Sequence, residues 1–171
     1  MREAMVRATR KAARASGGRP VPAANLHVTL AFLGSVPERR LTELAEIARG
    51  AAPGGGLELA CDHLEYWRAA QLLCALPTEA PAPIMALARR LQDVLAATGF
   101  APDLKPFRPH VTVVRKVLRF GRIEQLDSVV WRFTELALIE SRTLAAGALY
   151  SVVESYPLSS GTKTANNSET P

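Results

Sequence analysis

Asn25-Leu26-His27-Val28-Thr29-Leu30 and Arg108-Pro109-His110-Val111-Thr112-Val113 are two copies of one pattern: histidine, any residue, threonine, apolar residue. They stand about half the chain apart, and they hold two of the three histidines in the sequence. Along a β-strand side chains alternate between faces. His27 and Thr29 then share one face while Leu26, Val28 and Leu30 share the other, and His110 and Thr112 stand in the same relation to Val111 and Val113. Each strand is expected to bury its apolar face and to offer an imidazole and a hydroxyl on the opposite side. If the two halves of the chain face each other across a pseudo-twofold, these offerings converge on one cleft, around a single bound group.

The flanking sequence supports such a duplication. Residues 2–15 read as a helix with Met1, Ala4, Met5, Ala8, Ala12 and Ala15 on one side and basic residues on the other, stopped by Gly17-Gly18. The first motif then predicts a strand over 25–33. Pro37 opens a second helix with the stripe Leu41, Leu44, Ala45 and Ala48, and residues 53–56 form a loop. Strands are expected at 57–64 and 71–76, joined through Tyr66-Trp67-Arg68. A third helix follows over 84–98, with Ile84, Leu87, Ala88, Leu91, Val94 and Leu95 inward and Gly99 as its cap. Further strands are expected at 109–115, 129–140 and 147–154, with turns at Gly121 and Gly147. This order argues for an α+β fold on antiparallel sheet. Residues 1–158 read as one bilobal domain and 159–171, polar throughout, as a disordered tail.

Composition limits the function classes. The chain has 171 residues, 48% hydrophobic and 22% charged, which is enough to bury a core without disulfides or a structural metal. Its net charge of +5 is concentrated in two stretches. Residues 1–19 carry Arg2, Arg7, Arg10, Lys11, Arg14 and Arg19 against one acid, Glu3; the other holds Lys105, Arg108, Arg115, Lys116, Arg119 and Arg122. Such an excess suits an anionic partner, and a solvated helix face explains it as well. No apolar run approaches the roughly 18 residues that span a bilayer. The Arg-rich start fits an ordinary first helix, which places the protein in the cytoplasm, or superficially a mitochondrial transit peptide. Gly-rich nucleotide loops of the P-loop and dinucleotide types are absent.

Two imidazoles that titrate near neutrality can act as general base and general acid in one in-line displacement at phosphorus. Threonine hydroxyls can donate to the non-bridging oxygens, where charge accumulates. Asp62, Asp93 and Asp103 stand apart from the histidines, so no two-metal carboxylate cluster is suggested, and no metal or cofactor is expected. One histidine beside one threonine is ordinarily structural; the second copy in matching context is what argues for chemistry. Arg115, three residues past Thr112, can hold phosphate bidentately or simply end a strand. His63, which has no such copy, reads as structural. Cys61 and Cys74 read as buried free thiols rather than a disulfide or a zinc site with His63. Phe32, Trp67 and Phe107 can stack on a base, although core packing is the commoner role.

Asn25-Leu-His-Val-Thr-Leu-Ala-Phe-Leu-Gly34 and Phe107-Arg-Pro-His-Val-Thr-Val-Val-Arg115 resemble the paired motifs of the two-histidine (2H) phosphoesterases, and among them the bacterial RNA 2′,3′-cyclic phosphodiesterases, also called 2′-5′ RNA ligases. Leu138-Ile-Glu-Ser-Arg142 followed by Gly147-Ala-Leu-Tyr150 is similar to their C-terminal signature, and the resemblance runs from about residue 3 to residue 158. It implies a bilobal fold of two antiparallel sheets with helices outside and the site between the lobes. It further implies metal-independent hydrolysis of a 2′,3′-cyclic phosphate on RNA or a nucleotide to a 2′-phosphomonoester. On that reading His27 is the proton donor and His110 the proton acceptor, although a pseudo-symmetric site permits the reverse. Thr29 and Thr112 hold the phosphate with Arg115. Family members begin with an apolar strand ahead of the first helix; here that strand is apparently missing, which is expected to leave a sheet edge unpaired.

Other readings of the same residues are a 2′-5′ RNA ligase, a phosphodiesterase for small cyclic nucleotides, and a nucleotide-binding 2H protein without turnover. Nothing in the sequence calls for an oligomer, so a monomer is expected.

Overall fold

Three amphipathic stretches form helices: α1 (Arg2–Ser16), α2 (Leu41–Ala51) and α3 (Ala82–Ala97). In the computed structural model, which describes residues 1–53, 55–101, 105–119, 124–144 and 147–158, they flank two antiparallel sheets. The larger sheet holds β1 (Arg19–Pro20), β2 (Leu57–Trp67), β3 (Leu72–Leu76), β4 (Val111–Arg115) and β5 (Glu124–Phe133), in the order β1-β4-β3-β2-β5. The smaller pairs β6 (Glu135–Leu144) with β7 (Gly147–Pro157). The α+β architecture with helices outside the sheets is as expected. Among the described residues no helix is long and apolar enough to cross a membrane. The expected tail and the turn at Gly121 lie outside the described residues.

Burial on α1 differs from the expected stripe. Met5, Thr9, Ala12, Ala13 and Ser16 are buried, while Met1 and Ala15 are exposed. The inward face is therefore rotated, and it tolerates two hydroxyl residues because each is satisfied on the helix itself. Thr9 Oγ1 donates to the Met5 carbonyl at 2.8 Å and Ser16 Oγ to the Ala13 carbonyl at 2.7 Å. On α3, Ile84, Leu87, Ala88, Leu91 and Leu95 are buried as read, and Val94 is exposed.

Three strand expectations are corrected. The stretch read as one strand at 129–140 is two, broken at Thr134, and β5 and β6 belong to different sheets. A strand-rich run that changes sheets has no sequence signal beyond continuous β-propensity. The first strand expected, 25–33, is in no ladder: Ala23–Asn25 makes a single 3₁₀ turn, and 26–34 stays outside both sheets. The edge of β4 is instead taken by β1, with Arg19 opposite Arg115 and Pro20 opposite Val114, and by Val21, whose N–H donates to the Val113 carbonyl at 2.9 Å. The alternation read from the sequence survives without the ladder. Leu26 is buried, His27 and Thr29 exposed, Val28 and Leu30 half-buried. Finally, β4 begins at Val111, so His110 enters the sheet's end rather than lying within it.

The end of β4 is locked to α1. Leu118 and Arg119 donate their N–H groups to the Ser16 carbonyl at 3.1 and 3.2 Å, which satisfies an acceptor left over at the helix C-terminus. Gly18 is wedged beneath: a Cβ there would stand 2.7 Å from Val114 Cγ1 and 2.8 Å from the Arg115 carbonyl oxygen.

Candidate active site

Both motif histidines are held by one local device. His27 Nδ1 lies 2.6 Å from the carbonyl oxygen of Asn25, and His110 Nδ1 lies 2.7 Å from that of Arg108. In each case the partner is two residues upstream and the intervening residue, Leu26 or Pro109, is buried. The apolar wedge fixes the backbone, and the backbone fixes the ring. A carbonyl oxygen can only accept, so Nδ1 carries the hydrogen, and the neutral imidazole has its lone pair on Nε2. The duplication seen in the sequence thus extends to tautomer and ring orientation.

The surroundings of the two rings differ. His27 is exposed, and the edge of Tyr150 packs on it with ring centroids 5.1 Å apart and planes at 68°. His110 is half-buried against Trp67, with centroids 4.4 Å apart and planes at 52°. Burial pulls the His110 imidazolium below its ordinary value. The hydrogen bond to the Arg108 carbonyl opposes this, while the charges of Arg108 and of His27 add to it. The two imidazoles are thus near enough for one to feel the other's charge.

Trp67 is itself braced. The Arg108 guanidinium lies 5.4 Å from the centroid of its ring and pairs with Glu65 at 2.6 Å. The hydrogen bond from Arg108 holds the Glu65 carboxyl below the usual range.

Thr112 is half-buried on β4, its Oγ1 3.9 Å from Cys74 Sγ on the neighbouring strand. Thr29 is exposed two residues past His27, on the same side of the chain. Arg115, at the end of β4, reaches across to the other sheet and donates from Nη2 to the Tyr150 hydroxyl at 2.9 Å. Since Tyr150 packs on His27, the second motif's arginine is brought to the first motif's histidine. Sequence reasoning did not assign Tyr150; its one signal was its place at the end of the Gly147–Tyr150 segment.

Other candidates fall away from this cluster. His63 Nδ1 is tied to Asp62 at 2.8 Å, and Asp62 also receives the N–H and hydroxyl of Thr78, a structural arrangement. Cys61 and Cys74 are buried free thiols. Phe107 packs against the core while Phe32 is exposed. On α1, Arg2 donates from Nε to the Leu26 carbonyl at 3.3 Å, beside His27. Arg10 and Arg14 rim a cavity of about 190 Å³ floored by Val6, Ala13, Leu26 and Val113. That floor is the apolar side of both motifs, so α1 packs behind them.

Residues 3–71 match the family described as LigT like phosphoesterase. The chain is 35% identical over 98 residues to the RNA 2′,3′-cyclic phosphodiesterase of Escherichia coli, a match covering 57% of this chain and 55% of that protein. The chain thus spans about half the length of that relative. It is 29% identical over 172 residues to the RNA 2′,3′-cyclic phosphodiesterase of Thermus thermophilus, covering 92% of this chain and 84% of the other. Among solved structures it is similar to E. coli LigT complexed with 3′-AMP, with a TM-score of 0.81, 27% identity, and coverage of 92% and 90% of the two chains. With the paired histidine motifs in place and the fold shared over nine-tenths of both chains, this chain is similar in sequence and in fold to the LigT-like phosphoesterases.

Proposed function

We propose that this protein hydrolyses the 2′,3′-cyclic phosphate at an RNA end to a 2′-phosphomonoester, by proton transfers between two histidines and without a metal. The observation that carries this reading is the matched anchoring of His27 and His110, each with Nδ1 on a carbonyl and Nε2 free for substrate. His110, whose burial disfavours the charged form, is neutral at neutral pH and suits the base. Its Nε2 takes a proton from water as the water oxygen bonds to phosphorus. The bond from phosphorus to O3′ breaks, and His27, protonated on Nε2, gives its proton to O3′. The products are a 2′-phosphomonoester and a free 3′-hydroxyl. Thr29 and Thr112 donate to the non-bridging oxygens, and Arg115 offsets the charge that accumulates there.

The test is turnover of an oligoribonucleotide ending in a 2′,3′-cyclic phosphate, with chelator present. Release of a 2′-phosphate is expected from wild type and is lost in His27→Ala and His110→Ala. Turnover that chelator abolishes would sink the metal-free mechanism.

One observation favours a smaller substrate. Arg10 and Arg14 of α1 line a cavity with Leu26 and Val113, on the apolar side of the motifs, so these two cations are not placed to hold a long RNA at the imidazoles. On this second reading the substrate is a 2′,3′-cyclic mononucleotide. Competition between mononucleotide and oligonucleotide decides: kcat/KM that rises with length supports the RNA end, and equal values support the small nucleotide.

A further inference from the structure

Tyr150 is the side chain on which the two motifs meet. It sits on β7 in the two-stranded sheet, opposite Ser141 of β6, whereas Arg115 ends β4 in the five-stranded sheet. Their hydrogen bond, 2.9 Å between residues 35 positions apart, joins the two sheets at the site. The same ring presents its edge to His27.

We propose that Tyr150 is a positioning residue: it aims the Arg115 guanidinium at the phosphate that His27 and His110 share. This rests on the reading above that the site takes a phosphodiester. An arginine side chain is long and has many rotamers, so a guanidinium with no fixed partner is spread over many positions. Tyr150 Oη accepts from Nη2 and commits one of five N–H groups, which leaves the rest of the planar fork for phosphate oxygens.

The chemistry of the acceptor matters. A carboxylate in this place would orient Arg115 equally well, but it would neutralise the charge the phosphate needs and would repel the phosphate itself. A phenol orients without neutralising. The Tyr150 hydroxyl accepts from Arg115 while staying uncharged, so the guanidinium keeps its full positive charge for the anion. The ring's packing on His27 keeps the guanidinium in fixed relation to the histidine proposed as proton donor.

Tyr150→Phe is the discriminating variant, because it keeps the ring on His27 and removes only the hydroxyl. Its kcat/KM on cyclic-phosphate-ended RNA is expected to fall roughly 10- to 100-fold, the scale of a hydrogen bond to a charged group. The melting temperature should stay at the wild-type value. Tyr150→Phe combined with Arg115→Ala should be no worse than Arg115→Ala alone, since the tyrosine acts through the arginine. A second readout needs no turnover: inorganic phosphate is titrated while the His27 and His110 ring resonances are followed by NMR, and Tyr150→Phe should weaken binding by a similar factor.

Wild-type turnover and phosphate affinity in Tyr150→Phe would overturn the assignment, as would losses that multiply in the double variant. So would the absence of any phosphate effect on either imidazole of the wild type. If wild type binds phosphate in a Tyr150-dependent way yet leaves cyclic phosphate intact, the proposed activity fails and the role of Tyr150 stands.

Discussion

The indole of Trp67 lies against the imidazole of His110, centroids 4.4 Å apart and planes at 52°. It stands where water would otherwise hydrate the imidazolium, and burial is the largest cause of that ring's lowered pKa. In the free enzyme the acid limb of kcat/KM reports the base, so with His110 in that role the limb lies below the ordinary histidine value of 6.5. Trp67→Ala is expected to move the limb up toward 6.5, and Trp67→Phe to move it less. The sign for stability follows from the same shift. Folded His110 binds fewer protons than unfolded His110, so it contributes stability above about pH 6.5 that is lost as pH falls through its lowered value. Trp67→Ala should narrow that window. An acid limb that stays in place would show that something other than Trp67 desolvates the ring.

The shared anchoring of the two imidazoles predicts symmetric damage and asymmetric pH profiles. His27→Ala and His110→Ala are each expected to lower turnover by roughly two to four orders of magnitude, the usual worth of a positioned proton transfer. The double variant should be little worse, because acid and base act in one displacement. With His110 as base, its replacement removes the acid limb of the rate profile, and replacement of His27 removes the basic limb. The reverse pattern would exchange the roles, and near-multiplicative losses would argue against a concerted transfer.

Cys61 and Cys74 supply a probe of the strands that hold the site. Burial pushes both thiols up to about 12, and only the thiolate attacks a disulfide reagent. Native protein at pH 8 is expected to leave both unlabelled over minutes, whereas denatured protein labels both at once. Cys74 stands opposite Thr112 across β3 and β4, so its labelling rate reports opening at the second motif. Fast labelling of Cys74 alone would show that this pair of strands opens locally in the native state.

What could be read from the sequence divides along a physical line. The period-two burial of Leu26 to Leu30 and of Val111 to Val113 is local, and it was legible whether or not a ladder formed. So was the inward face of α3, Val94 excepted. Pairing is not local. Nothing near residue 25 announces that β1 and Val21 take the β4 edge, and nothing near Thr134 announces that the chain leaves one sheet for another. The same limit applies to the site. The histidines carried their own repeated motif, whereas Tyr150 and Trp67 gain their meaning from contacts 123 and 43 residues away in the chain, with His27 and His110.

Gly18 tests whether the backbone beneath Arg115 is part of the site's precision. A Cβ at this position would meet Val114 Cγ1 at 2.7 Å and the Arg115 carbonyl oxygen at 2.8 Å. The valine methyl could rotate away, but the carbonyl belongs to the β1–β4 ladder and cannot move without carrying Arg115 with it. Gly18→Ala is therefore expected to cost about 1–3 kcal/mol, the range for overpacking a filled space. It should also weaken inorganic phosphate binding, since Arg115 is displaced relative to Tyr150. Gly50→Ala is the matched control: it lies on α2 with open space around the added methyl, and should stabilise by up to about 1 kcal/mol through helix propensity. Thermal melting of the two variants should thus move in opposite directions, and only Gly18→Ala should alter phosphate affinity. A Gly18→Ala protein that melts lower yet binds phosphate as wild type does would place the tight contact in the fold's stability alone.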